Sequence, residues 1–275
     1  MKSIKLSIVL LLLIGVFSCK KTASTSPVNT NVSTDEAADI VASSFSLNSG
    51  GVATASDDAT NVANSLSASL PSSAAIRVAA NLNSIGNFAN TRAAINPKKL
   101  ECGATKTDTV ARSGSVGSSI TYTYNSIYSF TLNCTNLVPD SLTSSAAFGG
   151  TYSGPYISSV FTGTHNFSVT GLPAASANLV LNGTYTRNGA FQSKKDTTKK
   201  GTHTVIITVK DLTVVKSGRT IISGSATINV SGEITNKGSW NYTGTVTFNN
   251  DSTASLTLGG VKYKINILTG IYVKI

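Results

Sequence analysis

In the stretch WNYTGTVTF, residues 240–248, Trp240, Tyr242, Gly244, Val246 and Phe248 hold every second position, and Asn241, Thr243, Thr245 and Thr247 fill the places between. A period of two puts the first set on one face of a strand and the hydroxyl and amide groups on the other. The same alternation sets Ile120, Tyr122, Tyr124, Tyr128, Phe130 and Leu132 against Thr121, Thr123, Asn125 and Thr131, and it runs from about Leu100 to the C-terminus. Turn residues connect these runs. NKG at 236–238 pairs Ile234 with Trp240, Val230 with Gly244 and Ala226 with Phe248. SG at 217–218 pairs Val209 with Ala226 and Ile207 with Ile228, and GG at 259–260 pairs Leu258 with Val261 and Leu256 with Tyr263. Apolar residues meet on one face at each turn, which a one-residue slip would reverse. The sequence therefore predicts a mainly β fold, an antiparallel meander of about ten strands with one apolar face. That face cannot stay in water, so the sheet is expected to curl or to be capped by other elements.

Composition agrees with a strand-and-turn protein. The 275 residues are 40% hydrophobic and only 12% charged, about half the usual charged share, with abundant Ser, Thr, Asn and Gly. The net charge of +10 does not gather into a stripe or interleave with aromatics, so nucleic acid is not an expected partner.

The N-terminus reads MKSIKLSIVLLLLIGVFSCKK, with Lys2 and Lys5 ahead of an apolar run from Leu6 to Phe17. That run is short for a bilayer span and right for the core of a signal peptide. It ends in Val16-Phe17-Ser18-Cys19, and here the chain resembles a bacterial lipoprotein precursor. The resemblance covers residues 1–19 and implies cleavage before Cys19, which would carry the lipid; an ordinary cleaved signal with an adjacent Cys is the alternative. Removal of residues 1–18 takes away Lys2 and Lys5, lowering the positive charge by two. Several acyl chains on Cys19 give stable anchoring where one does not. The expected location is the bacterial cell envelope, anchored by lipid, on the periplasmic face of the outer membrane or at the cell surface. No other segment is long and apolar enough to cross a membrane.

Residues 20–33 are polar and aperiodic, as a flexible tether would be. A helical segment is expected over 34–97. Ser33 with Glu36 makes a capping box, Gly50-Gly51 ends the first helix, and Val62, Leu66 and Leu70 recur at intervals of four before Pro71. A third piece runs from about Ala74 to Ile85. Ser and Asn lower their helix propensity, so these helices need something to pack against. The β domain then occupies 98–275.

Export would place Cys102 and Cys134 in an oxidising compartment, and a structural disulfide between them is expected. The two histidines sit in similar phrases, GTHNFSV around His165 and GTHTVII around His203. A turn at Leu172-Pro173-Ala174 would set His165 opposite Leu181, and the loop near Asp196 would set His203 opposite Gly189, about 25 Å apart. Ligands about 2.1 Å from one metal cannot be drawn from such a pair. No metal, cofactor or catalytic constellation is expected, since Glu101, Asp108, Asp140, Asp196, Asp211, Glu233 and Asp251 show no recurring spacing and no serine has a partner at a known spacing. The loop carrying Lys194, Lys195, Lys199 and Lys200 is a basic hairpin tip, able to meet anionic lipid or polysaccharide or simply to keep strand ends soluble. The reading that results is a lipid-anchored envelope protein with a non-enzymatic structural or binding role. A carrier of lipid or another hydrophobic ligand, resembling periplasmic lipoprotein carriers in architecture alone, and a glycan-binding surface protein are the alternatives.

Overall fold

The computed structural model describes residues 32–69, 100–173 and 175–275. Cys19, the signal, residues 20–31 of the expected tether and the Ala74–Ile85 piece lie outside them; Val32 and Ser33, at the end of that expected tether, instead belong to the folded body, Val32 buried and Ser33 capping the first helix. Two helices, α1 (Thr34–Phe45) and α2 (Val52–Ser69), precede eleven strands in one antiparallel sheet. The strands are β1 (Thr105–Val116), β2 (Ile120–Thr135), β3 (Val138–Ser153), β4 (Ile157–Thr170), β5 (Asn178–Ser193), β6 (Lys200–Val215), β7 (Thr220–Ile234), β8 (Gly238–Phe248), β9 (Thr253–Leu258), β10 (Val261–Asn266) and β11 (Tyr272–Lys274). Their order in the sheet is their order in the chain, and β1 and β11 are its two edges, so the sheet does not close into a barrel. No helix among the described residues is long and apolar enough to cross a membrane.

The expected alternation is present. Tyr122, Tyr124, Tyr128 and Phe130 on β2 and Trp240, Tyr242, Val246 and Phe248 on β8 are buried, and the threonines between them face out. Registers at 217–218 and 259–260 are as the turns imply, with Val209 opposite Ala226 and Leu256 opposite Tyr263. Two others differ. The β7–β8 ladder pairs Gly232 with Trp240, Ile228 with Gly244 and Ala226 with Val246, two residues away from the expected register. The turn closes at Asn236, whose φ of 62° is left-handed, so Gly238 already pairs with Ile234. The β4–β5 ladder pairs His165 with Tyr185 and Gly163 with Arg187, four residues off. Here Pro173 opens a turn in which its carbonyl accepts from Ser176 N–H, displacing the centre of the connection along the chain. Both shifts are even, so every side chain keeps its face.

The helices lie inside the curl of the sheet. Every residue from Glu36 to Phe45 is buried, which requires walls all round. Side chains from β3 (Tyr152), β5 (Tyr185), β8 (Tyr242) and β11 (Tyr272) all reach α1 or the residues flanking it. Eight strand spacings of about 4.8 Å on a flat sheet could not converge on one helix about 10 Å wide, so the sheet must wrap around it. The sequence of α1, TDEAADIVASSF, suits that place. Ala37, Ala38, Ala42, Ser43 and Ser44 are small enough for close approach, while Ile40, Val41 and Phe45 supply apolar volume, Phe45 meeting Phe248 edge-on at 5.7 Å. The capping box is made as expected, Ser33 Oγ accepting from Glu36 N–H at 3.2 Å and Glu36 Oε2 from Ser33 N–H at 2.8 Å. Gly50, at φ 73°, turns the chain towards α2 where any Cβ would overlap the Tyr124 ring.

Candidate binding surface

An apolar cup filled by polar-flecked helices needs internal hydrogen bonds, and tyrosines of the inner wall provide them. Tyr242 Oη donates to Val32 O at 2.6 Å, Tyr185 Oη to Gly50 O at 3.1 Å and Tyr272 Oη to Asp35 O at 2.8 Å. Tyr263 Oη donates to Asp35 Oδ1 and Tyr152 Oη to Asp39 Oδ1, each at 2.9 Å. Asp39 also accepts from the backbone N–H groups of Tyr156 and Ile157 at 2.9 and 3.0 Å. Burial pushes its carboxyl up to about 6 in spite of those bonds. Ion pairs tie the remaining acids to the sheet and its loops: Asp58 to Arg112 at 2.6 Å, Asp57 to Arg219 at 3.2 Å and Glu36 to Lys199 at 3.2 Å. Burial alone would raise Glu36, but hydrogen bonds from Ser193, Ser33 and Lys199 hold it below its usual value. The acids at 35, 36, 39, 57 and 58 therefore hold the helices in place. The i, i+4 spacing of Asp35 and Asp39 on one helix face was the available sequence signal for this.

Cys102 and Cys134 are joined, with Cα atoms 5.6 Å apart, tying the segment before β1 to the end of β2. The corrected β4–β5 register brings the histidines nearer than expected. His165 lies opposite Tyr185 and His203 opposite Gly189, four residues along β5 and two strands across, on the order of 17 Å. That separation still prevents shared ligation. His165 packs among Tyr128, Phe148 and Phe167, and His203 lies over Gly189 beside Phe191. Burial pushes His165 down to about 4 and His203 to about 3. Arg187 is equally enclosed, its guanidinium 3.4 Å from the centroid of the Phe161 ring and Nη1 donating to Ser43 Oγ at 3.1 Å. Burial lowers its pKa. Among the described residues no three His, Cys, Asp or Glu side chains come together as a metal site. The basic tip is partly folded back, with Lys199 on Glu36 and Lys195 Nζ 4.6 Å from the centroid of the Tyr156 ring.

On its outer face the sheet carries a groove of about 880 Å³. It crosses the strands from Thr121 on β2 to Gly238 at the start of β8. Its floor is a register row, Thr151 opposite Val160, Val160 opposite Ala190, Ala190 opposite Thr202 and Thr202 opposite Glu233. Ser158, Gln192 and Lys200 form the neighbouring row. Small side chains in the middle of the floor leave the hollow, and Lys200 and Glu233 lie on adjacent strands towards one end, two residues apart in register. No single strand encodes this groove, since its residues meet only through the pairing of β2 to β8.

Fold and surface together define an open antiparallel sheet wound around two helices, with a hydroxyl-rich exterior. No known family model, curated protein or solved structure matches the chain.

Proposed function

We propose that the protein is exported and held in the bacterial cell envelope by lipid on Cys19, and that its body has a non-enzymatic binding role exercised through the outer face of the sheet. The observation that carries this reading is the Cys102–Cys134 disulfide, which fits an oxidising compartment and so agrees with the targeting segment that ends at Cys19. Titratable groups of the interior serve as helix anchors or aromatic-packed filler, which supports a role without catalysis. A carrier role would require α1 to vacate the curl and break the tyrosine bonds to Val32, Asp35, Asp39 and Gly50. The anchor is tested by growing cells that express the protein with an alkyne palmitate analogue. The wild-type chain is expected to incorporate label and fractionate with membranes, and Cys19→Ala to lose both. Equal labelling of Cys19→Ala, or an unlabelled wild-type chain, would sink the lipoprotein reading.

A further inference from the structure

We propose that the groove on the outer face of β2 to β8 binds a neutral glycan chain. This rests on the outer face being the recognition surface, and it names the ligand class for that surface.

Charge comes first. An ordinary soluble surface is about a quarter to a third charged. On this face a single register row runs from Thr107 on β1 through Ser129, Asn166, Thr184 and Thr227 to Thr257 on β9 without a charged residue. Along this row the surface offers hydroxyl and amide groups that both donate and accept, with no charged side chain to single out an ion, the first charge beyond it being Lys262 on β10. The groove keeps that character. Its two charged side chains, Lys200 and Glu233, are of opposite sign and sit on adjacent strands, so neither an anionic nor a cationic polymer gains a consistent partner along it.

The floor narrows the choice further. Val160 is 64% exposed and lies beside Ala190, giving a small apolar strip flanked by Thr151 and Thr202 on the strands to either side and by Ser158 and Gln192 in the next row. A lipid chain would find too little apolar area there to repay leaving a bilayer. A peptide strand adds to a sheet through free backbone groups, but β3 to β7 are each paired on both sides. What remains is a ligand bound by side chains alone, with C–H faces to set on Val160 and Ala190 and hydroxyl edges to exchange hydrogen bonds with threonine, serine and glutamine. A pyranose ring has that division of surface. Six strand spacings at about 4.8 Å give the groove a path of nearly 30 Å along the curved face of the sheet, room for several sugar units that follow that curve. Without an aromatic platform on the floor the affinity should be modest, a Kd of the order of 1 mM.

The experiment uses the mature chain extracted from membranes into a detergent without a sugar headgroup. It is titrated with neutral hexasaccharides of β-1,4-glucose, β-1,4-xylose, β-1,4-N-acetylglucosamine and α-1,4-glucose, and binding is read by calorimetry and by ligand-observed NMR. At least one is expected to bind, at least tenfold more weakly in Ala190→Lys, which sets a long charged side chain on the floor at an exposed position. Thr227→Lys, on the same face outside the groove, is expected to bind as the wild type does. Absence of binding by all four at 10 mM, or equal binding by the wild type and Ala190→Lys, would overturn the proposal. Either result leaves the lipid anchor untouched, because that is read from Cys19 labelling.

Discussion

His203 is 2% exposed, and neither of its ring nitrogens has a hydrogen-bond partner among the described residues. It is held neutral by burial, with the Arg187 guanidinium reinforcing the effect. His165 is depressed for the same first reason. A histidine at about 3 or 4 in the fold and near 6.5 in the unfolded chain leaves the unfolded state holding more protons in between. The resulting stability is complete above about pH 6.5 and is lost as the pH falls towards the folded values. Asp39 works in the other direction. At about 6 when folded, against 3.8 in the reference state, it holds a proton in the fold that the unfolded chain releases, so acidification from pH 6 towards 3.8 favours the fold. Two histidines outweigh one aspartate. Unfolding free energy is therefore expected to fall by about 3 kcal/mol between pH 7.5 and 4.5 on account of these three groups. In His203→Gln the loss over the same interval should shrink by nearly as much, and in Asp39→Asn it should grow by about 2 kcal/mol. Urea titrations at the two pH values measure this, and a His203→Gln protein with the wild-type pH dependence would show that His203 is not buried neutral.

At the scale of elements, β1 is the exposed flank of the sheet. It pairs only with β2, its positions are half-exposed or exposed apart from Val110, and the disulfide closes the ends of this hairpin over a separation of 32 residues. Restricting a loop of that length in the unfolded chain stabilises the fold by roughly 3–4 kcal/mol. The double substitution Cys102→Ser and Cys134→Ser should then lower the Tm by about 10 °C. Amide exchange in β1 should accelerate more than in β5 or β6, because the hairpin opens first when its clasp is gone. Uniform acceleration across all strands would mean that the bridge acts on the whole chain and not on this edge. Elements also mark how far the sequence could be read. Alternation such as that of 240–248 fixes which side chains turn inward, and each expected face is found. It does not fix where a turn closes, because any even shift leaves the faces unchanged. So β7–β8 moved by two at Asn236 and β4–β5 by four beyond Pro173. The Ser33–Glu36 box was legible for the same local reason. The groove was not, since Thr151, Val160, Ala190, Thr202 and Glu233 are brought into line only by four successive ladders.

For the molecule as a whole, the deciding relation is between the helices and the sheet around them. Neither half is self-sufficient. Helix α1 has twelve residues, marginal for an isolated helix in water even with a better composition, and α2 is rich in Ser, Asn and Asp. Without them the inner wall would expose Tyr124, Phe148, Tyr185, Phe248 and their neighbours as one apolar surface, well beyond what a soluble monomer tolerates. An internal plug and a removable lid differ in their thermodynamics. If α1 and α2 are part of the core, helix and sheet must melt together in a single cooperative transition. If they were a lid over a ligand space, the helical signal would decay first and leave the sheet standing. The lone Trp240 reports on the inner wall of β8, and far-ultraviolet circular dichroism near 222 nm reports on the helices. Melting curves from the two probes are expected to coincide within about 2 °C, and Asp39→Ala, which removes the acceptor of Tyr152 and two backbone N–H groups, should lower both midpoints together. A helical signal lost well below the Trp240 transition would turn the reading from a filled body towards a gated carrier, and the outer groove would then no longer be the natural place to seek its ligand.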